Sequence, residues 1–193
     1  CNCQPALYVH GLACLAVLKE LVPSLNPVAA AGLSLGEFTA HAAAGTYSFE
    51  EGLRLVQKRG AFMEEACNAT KGTMAAMIGG TDENVIKLAQ ECDVDVANFN
   101  CPGQTVVSGT EEGVAKAVAG AKAAGCKIAK KLNVAGAYHS RLMHSAMVKL
   151  AEELKNISFG TPSMPVYCNY EARVVEGPDA VSYTHLRAHE TVL

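Results

Sequence analysis

The sequence predicts a mixed α/β fold built around a parallel sheet, and three observations support this class. A short apolar run at residues 27–31 leads directly into the pentapeptide Gly32-Leu-Ser34-Leu-Gly36 and then into a helix-like segment. Between residues 73 and 134, strand-like and helix-like segments alternate in the order β-α-β-β-α-β. Half of the 193 residues are hydrophobic and 18% are charged, which is typical of a globular chain with a packed core.

The first third of the chain predicts three helices and one strand. Residues from Pro5 to about Val22 have a helical composition, and Pro23 ends the segment because proline cannot continue a helix. The run Pro27–Ala31 predicts a short buried strand. After a helix that starts near Glu37, a third helix begins at Ser48 and extends to about Cys67. Its first residues, Ser48-Phe-Glu-Glu51, form a capping box in which the serine caps the first amides and the glutamate reaches back.

The pentapeptide between them predicts a nucleophile elbow in an α/β-hydrolase-like core. A strand, a glycine-flanked turn and a helix are the context in which G-x-S-x-G exposes a serine hydroxyl above the end of a sheet. The helix that starts near Glu37 places its N-terminus beneath Ser34, so the N–H of Leu35 can face a developing oxyanion. The alternative interpretation is an ordinary loop of glycine and serine.

Residues 72–134 predict an inserted ferredoxin-like (βαββαβ) subdomain. The predicted strands are 73–78, 94–98, 104–108 and 127–134, and the predicted helices are 82–92 and 111–124. Because such a unit closes on itself, the large α/β domain comprises residues 1–71 and 135–178, with a further helix over 140–156 and a strand over 165–169. Residues 179–193 follow neither pattern, and we expect this tail to be foreign to the fold.

Composition and charge exclude several classes of function. The net charge of −3, without a basic run, argues against nucleic-acid binding, and no apolar stretch approaches the roughly 20 residues of a membrane span. We expect the eight cysteines to be reduced and mostly structural in a soluble intracellular protein, since they include no C-x-x-C pair. No metal site is expected, because His185 and His189 lack a third ligand candidate. The chain starts at Cys1 without a signal-peptide pattern, so we expect it to be a piece of a longer protein.

His139 is the histidine best placed to activate a serine, which needs a base within hydrogen-bond reach. It follows Gly136-Ala-Tyr where the chain leaves the predicted subdomain, and it precedes a helix whose dipole favours the neutral imidazole. The alternative is a surface histidine at a helix start. No acid stands out as a third member, which predicts a dyad oriented by a backbone carbonyl. The other histidines are expected on the surface or in the core: His10, His41, His144, His185 and His189.

Arg59 interrupts the apolar stripe of the helix that begins at Ser48. It lies four residues after Leu55 and four before Met63, and no acidic residue occupies a position three or four residues away. Because arginine is rarely buried without a partner, a substrate carboxylate bound bidentately would explain its position. The alternatives are a side chain that reaches solvent and an ion pair with another element. Arg59 and His139 flank the predicted subdomain, so we expect both near a cleft between domains.

Four motifs, in this order, resemble the malonyl-CoA:acyl carrier protein transacylase family, whose fold also occurs in fatty acid and polyketide synthases. The motifs are Gly-Leu-Ser34-Leu-Gly-Glu-Phe, Val56-Gln-Lys-Arg59-Gly-Ala-Phe-Met63, Ala97-Asn-Phe-Asn-Cys-Pro-Gly-Gln104 and Gly136-Ala-Tyr-His139-Ser. The resemblance covers residues 4–176.

The resemblance implies a role for each matching residue. Ser34 would carry the malonyl group as an ester, His139 would act as the general base, and the amide of Leu35 would supply one oxyanion donor. The implied substrate-binding residues are Arg59, which pairs with the malonyl carboxylate, Met63, Asn98 and Tyr138. The substrates would be malonyl-CoA and phosphopantetheinylated acyl carrier protein, and no cofactor is expected.

The sequence departs from the family pattern at a few points. Tyr138 replaces a phenylalanine in the motif that accompanies malonyl rather than methylmalonyl substrates, and Leu33 replaces a histidine common before the nucleophile. The family's Gly-Gln-Gly segment, which gives the second oxyanion donor, would precede Cys1. A glutamine that helps to orient the catalytic histidine has no match after Pro178. We therefore expect this chain to be weakly active, inactive or unstable by itself.

The acyl carrier protein is the implied protein partner, and such proteins are typically acidic. Lys130, Lys131 and Arg141 flank His139 in sequence and are candidate docking residues, with ordinary solvated charges as the alternative. We expect a monomer or a part of a larger synthase, in the cytoplasm or, in a eukaryote, a plastid or mitochondrion. Two other functions stay open: a serine hydrolase or thioesterase, and a catalytically degenerate homologue that only binds the carrier protein.

Overall fold

A computed structural model describes residues 2–175 of the chain, which have a mixed α/β fold with one parallel and one antiparallel sheet. The predicted tail at 179–193 lies outside the described residues. The elements in chain order are α1 (Cys3–Leu21), β1 (Ala30–Ala31), α2 (Leu35–Ala43), α3 (Phe49–Ala69), β2 (Gly72–Ile78), α4 (Asp82–Glu91), β3 (Asp95–Cys101), β4 (Gln104–Thr110), α5 (Glu111–Gly120), β5 (Ile128–Lys131), a 3₁₀ turn (Arg141–Met143), α6 (His144–Leu154) and β6 (Val166–Tyr167).

The described residues form two compact units. The first comprises residues 2–62 and 148–175, and the second comprises residues 63–147. The second unit contains the whole of the segment 72–134, together with the end of α3 and the segment that carries His139.

In the first unit, β1 and β6 pair in parallel, with Ala30 opposite Val166. Helices from both parts of the unit share one core, which contains Tyr8, Phe38, Leu55, Val56, Leu150 and Leu154. The prediction of a buried strand over 27–31 is wrong in length and in burial, because only two residues pair and Val28 is 85% exposed. Among residues 2–175, β6 is the one strand that pairs with β1, so residues 27–31 have few neighbours in the sheet to bury them.

In the second unit, four antiparallel strands pair in the order β3-β4-β2-β5. Helices α4 and α5 pack against this sheet around a core that includes Ala75, Met77, Val85, Leu88, Val107, Val114 and Ala117. Thr81 and Thr110 cap the two helices, because their hydroxyls accept the N–H groups of Asn84 and Gly113. Helix α5 ends at Gly120 and not at 124; turns carry the chain on to Gly125, whose φ is +85°.

The predicted capping box at the start of α3 is confirmed. The N–H of Glu51 donates to the Ser48 hydroxyl at 3.2 Å, and the N–H of Ser48 donates to the Glu51 carboxylate at 3.0 Å. These two bonds satisfy backbone donors that the helix ladder cannot pair. The capping fixes the start of the helix that carries Arg59.

Two further observations concern the described residues as a whole. None of the helices in 2–175 combines the length and the apolar character needed to cross a membrane. The seven cysteines in this range are free thiols; Cys3, Cys14 and Cys101 are exposed, whereas Cys168 of the first unit and Cys126 of the second are buried.

Candidate active site

The turn between β1 and α2 holds Ser34 in a strained backbone conformation, with φ 52° and ψ −105°. A non-glycine residue seldom adopts such a φ unless its surroundings impose it. A Cβ atom at Gly32 would overlap the backbone carbon and carbonyl oxygen of Gly36, so this turn closes only with glycine at the first position. A Cβ at Gly36 would meet nothing within 4 Å. The first glycine of the pentapeptide is therefore a steric requirement, and the second is not.

Hydrogen bonds to the segment after β6 anchor this turn. The N–H of Ser34 donates to the side-chain oxygen of Asn169, and the N–H of Asn169 donates to the carboxylate of Glu37 at 2.8 Å. Glu37 is fully buried in the first turn of α2. Leu35 is the first residue of that helix, so its N–H lies ahead of the helical hydrogen-bond ladder.

Arg59 lies beside the Ser34 hydroxyl. Its side chain is 2% exposed, and its Nη2 donates to the Ser34 Oγ at 2.9 Å. Its Nη1 donates to the Gln4 Oε1 at 2.5 Å, and the guanidinium lies 5.3 Å from the centre of the Phe38 ring. This burial excludes the alternative in which the Arg59 side chain reaches solvent. A cation held this close to a serine hydroxyl favours a substrate that carries a negative charge near its reacting carbon.

The remaining predicted residues belong to the second unit. Met63 is buried in the part of α3 that falls in this unit, Asn98 is half-buried on β3, and Tyr138 is half-buried in the loop before the 3₁₀ turn. His139 is half-buried and has a φ of 56°, so both predicted catalytic residues have a left-handed backbone. Burial raises the pKa of the neighbouring Cys67 thiol, and a hydrogen bond with Tyr138 opposes this rise.

The candidate docking residues differ in their surroundings. Arg141 forms ion pairs with Asp93 at 2.9 Å and with Asp95 at 3.3 Å, and Lys131 pairs with Glu111 at 3.3 Å. Lys130 is exposed on β5. Their role in docking stays a prediction.

His41 is a structural residue of the first unit. It is fully buried on α2, and its Nδ1 lies 3.1 Å from the Thr46 hydroxyl. Burial lowers the pKa of His41 to about 4, which keeps the imidazole neutral at physiological pH. Among residues 2–175, no three His, Cys, Asp or Glu side chains form a group that could hold a metal ion.

Gln4 and Asn169 were missed in the sequence. Gln4 lies 55 residues before Arg59, and no local pattern relates the two. Asn169 directly follows β6, the parallel neighbour of the strand that leads to Ser34. Because ligands of α/β sheets bind at the carboxyl ends of parallel strands, this position was the available signal for Asn169.

Comparison of the sequence with known families and proteins finds acyltransferases. The family model described as the acyl transferase domain matches residues 2–192. The malonyl CoA-acyl carrier protein transacylase of Escherichia coli K12 is 40% identical over 182 residues, which are 92% of this chain and 59% of that protein. The enzyme of the same name from Bacillus subtilis 168 is 41% identical over 179 residues, covering 90% of this chain and 56% of its own length.

Solved structures show the same relationship. The malonyl CoA-acyl carrier protein transacylase of Coxiella burnetii has a TM-score of 0.93 and 33% identity, covering 97% of this chain and 60% of its own. A malonyl-transacylase in complex with a type II PKS acyl-carrier protein has a TM-score of 0.94 and 36% identity, and the match covers 98% of this chain and 62% of that one. The chain thus spans about three fifths of the length of these relatives.

Proposed function

Because the chain belongs to the acyl transferase domain family, we propose that it transfers a malonyl group from malonyl-CoA to the phosphopantetheine thiol of acyl carrier protein, in fatty acid biosynthesis. The names of the similar proteins support this reaction, since malonyl CoA-acyl carrier protein transacylases share 40% and 41% of the aligned residues. The single observation that carries the proposal is the hydrogen bond from the buried Arg59 to the Ser34 hydroxyl.

Arg59 suits a malonyl group for a geometric reason. In a malonyl thioester, one methylene separates the carboxylate carbon from the carbonyl carbon that a nucleophile attacks. A cation 2.9 Å from the Ser34 Oγ lies within reach of a carboxylate at that separation. A planar guanidinium can bind both carboxylate oxygens, which orients the acyl group as well as attracting it.

The proposed reaction has two acyl-transfer steps. In the first, His139 takes the Ser34 hydroxyl proton, the Ser34 Oγ attacks the thioester carbonyl, and coenzyme A leaves as a thiol with that proton. The N–H of Leu35 donates to the oxyanion of the tetrahedral intermediate. In the second step, the phosphopantetheine thiol gives its proton to His139 and attacks the malonyl-Ser34 ester, and Ser34 regains its hydroxyl. Met63, Asn98 and Tyr138 would line the acyl site.

We also propose a specific fold for each part of the chain. A strained Ser34 between a strand and a helix supports a nucleophile elbow in an α/β-hydrolase-like core. The strand order β3-β4-β2-β5, with helices after β2 and β4, supports a ferredoxin-like subdomain over residues 72–134. We propose the large domain at 1–71 and 135–178 on the same basis.

The partners follow from the reaction. The acyl carrier protein would be the acceptor, as one solved malonyl-transacylase structure contains its acyl-carrier protein. Because both steps exchange esters and thioesters without a change of oxidation state, the proposed reaction requires no cofactor. An intracellular location would give access to malonyl-CoA.

Intact-protein mass spectrometry after mixing with malonyl-CoA tests the proposal. We expect a malonyl adduct on Ser34, absent from a Ser34→Ala variant, that is discharged when holo acyl carrier protein is added and appears as malonyl-carrier protein. Discharge to free malonate at the same rate with or without carrier protein would indicate a thioesterase instead. A full-length protein that binds carrier protein but forms no adduct would indicate the degenerate homologue.

A further inference from the structure

We propose that Ser140 is a positioning residue that holds the backbone of His139 in its left-handed conformation. Ser140 directly follows His139 and is 1% exposed, yet no step of the proposed reaction uses its hydroxyl. The inference rests on the proposed function, because His139 acts as the general base only there.

The Ser140 hydroxyl bridges the backbone on both sides of His139. Its Oγ donates to the carbonyl of Ala137 at 2.6 Å and accepts the N–H of Leu142 at 3.3 Å. A serine hydroxyl has one proton to donate and two lone pairs to accept with, so it can make both bonds at once. The two bonds close a short loop around His139, whose φ of 56° is unfavourable for a residue with a side chain.

The segment before His139 has little room to move. A Cβ at Gly136 would overlap the Cys67 sulfur, and the Ala137 Cβ lies where a Cβ on Gly72 would meet it at 2.6 Å. Ala137 itself is fully buried. These contacts restrict the chain up to Ala137, and the peptides that follow carry the His139 side chain.

The segment after His139 is held as well. The Asp95 carboxylate accepts the N–H of Arg141 at 2.8 Å and its Nε at 3.3 Å, and Asp93 pairs with the Arg141 guanidinium at 2.9 Å. Between these two ends, the Ser140 hydroxyl bonds the backbone on both sides of His139 and so stabilises the conformation of this loop. Without this hydroxyl, the buried Ala137 carbonyl and the part-buried Leu142 N–H lose these hydrogen bonds, which favours a rearrangement of the loop.

The consequence concerns the imidazole, whose direction follows the His139 backbone. A shift of about 1 Å in a catalytic group is enough to lower a rate by roughly 10²-fold. Removing the hydroxyl should therefore slow both acyl-transfer steps through His139, while leaving the preference for a carboxylated acyl group to Arg59.

A double-mutant cycle tests this coupling. The rate of malonyl-Ser34 formation is measured by intact mass in wild type, Ser140→Ala, His139→Ala and the double variant. We expect Ser140→Ala to lower this rate between 10- and 100-fold when His139 is present, but less than 2-fold in the His139→Ala background. The ratio of the rates with malonyl-CoA and acetyl-CoA should be the same in Ser140→Ala as in wild type. Ser140→Thr, which retains a hydroxyl, should recover most of the rate. Ser145→Ala, on an exposed position of α6, is the matched control and should match wild type.

The outcomes separate the two proposals. Equal rates in wild type and Ser140→Ala would overturn the role of Ser140 alone, as would equal fold losses with and without His139, which indicate a purely structural effect. Failure of the full-length wild type, which also holds the second oxyanion donor, to form any malonyl adduct would overturn the proposed function, and the role of Ser140 with it.

Discussion

Arg59 is the residue that most restricts which acyl groups this chain is expected to accept. It is buried, it donates to the Ser34 hydroxyl, and a neutral amide, Gln4, accepts its second N–H without cancelling its charge. We expect Arg59→Ala to lower malonyl transfer on the order of 10²-fold, because one partner of a desolvated charge pair is removed. Transfer of an acetyl group, which has no carboxylate, should stay within a few-fold of wild type. Steady-state kinetics with both acyl-CoA substrates check this.

The matched control for Arg59 is Arg54, which lies on the same helix but is exposed. Arg54→Ala should leave both rates unchanged. If Arg59→Ala reduced malonyl and acetyl transfer equally, the guanidinium would serve the Ser34 hydroxyl rather than the substrate carboxylate.

His41 illustrates a buried group that affects stability and not chemistry. Its pKa is lowered to about 4 in the folded protein, whereas an exposed histidine titrates near 6.5. The unfolded chain therefore binds the proton first as the pH falls, so stability is fully present above about pH 6.5 and declines toward pH 4. The difference between the pKa of His41 in the folded and in the unfolded chain corresponds to about 3 kcal/mol of unfolding free energy.

Chemical denaturation between pH 4 and 7 measures this dependence. We expect His41→Gln, which retains a group able to bond Thr46, to flatten the pH dependence of the unfolding free energy over that range. His10→Gln, at an exposed position of the same unit, should retain the wild-type slope. Identical slopes in all three proteins would show that His41 does not titrate differently on folding.

Single residues also show what sequence can and cannot predict. Ser34 and Arg59 were predictable, because the first lies in a turn motif and the second breaks an apolar period on its own helix. Gln4 was not, since it lies 55 positions from Arg59 and no local periodicity encodes such a contact. Asn169 lies 135 positions from Ser34, and its one signal was its place at the end of a predicted strand. His139 was predicted to be the general base from its neighbours in sequence, and that role stays a prediction; no sequence pattern indicated its left-handed φ of 56°, which lies between the buried Ala137 and Ser140.

At the scale of elements, the turn that carries Ser34 depends on one glycine. A Cβ at Gly32 would overlap the Gly36 backbone, whereas a Cβ at Gly36 would meet open space. We expect Gly32→Ala to destabilise the protein by about 3 kcal/mol and to abolish acylation of Ser34. Gly36→Ala should raise the unfolding free energy by up to about 1 kcal/mol, since alanine is the better helix residue. Thermal melting of both variants distinguishes these outcomes; equal melting temperatures would contradict the steric argument.

The start of α3 depends on its capping box. Ser48→Ala removes the acceptor of the Glu51 N–H and should cost about 1 kcal/mol of unfolding free energy. Hydrogen bonds from the Ser48 backbone and side chain lower the pKa of Glu51, so the stabilisation from these carboxylate bonds is present at neutral pH and declines as the carboxylate becomes protonated. Urea titration of Ser48→Ala checks the loss. Ser24→Ala, at an exposed serine outside any helix, should show none.

Element boundaries were less predictable than element order. Every helix and strand predicted for residues 72–134 is present, because apolar periodicity and turn residues mark each one. The strand before Ser34 is two residues long and not five, since the extent of a strand depends on its neighbours in the sheet and not on its composition.

At the scale of the whole molecule, the described residues divide into two compact units that interleave along the chain. The sequence predicted an inserted segment, because the periodicity of apolar residues changes from helical to strand-like after residue 71. The second unit extends beyond the predicted segment 72–134 to residues 63–147, because the flanking residues pack against it. Gly136, for example, packs on Cys67, near the end of α3.

The two buried cysteines make each unit separately observable by thiol chemistry. Cys168 is 3% exposed in the first unit, and Cys126 is 5% exposed in the second. An alkylating reagent reaches such a thiol only when the surrounding structure opens, so its modification rate, divided by the rate in urea, gives the free energy of that opening. We expect both to react roughly 10³-fold more slowly than the exposed Cys3, Cys14 and Cys101, as measured by pulsed alkylation and peptide mass spectrometry. Comparable rates for all five would show that the cores open freely; different protection of Cys126 and Cys168 would give each unit a stability of its own.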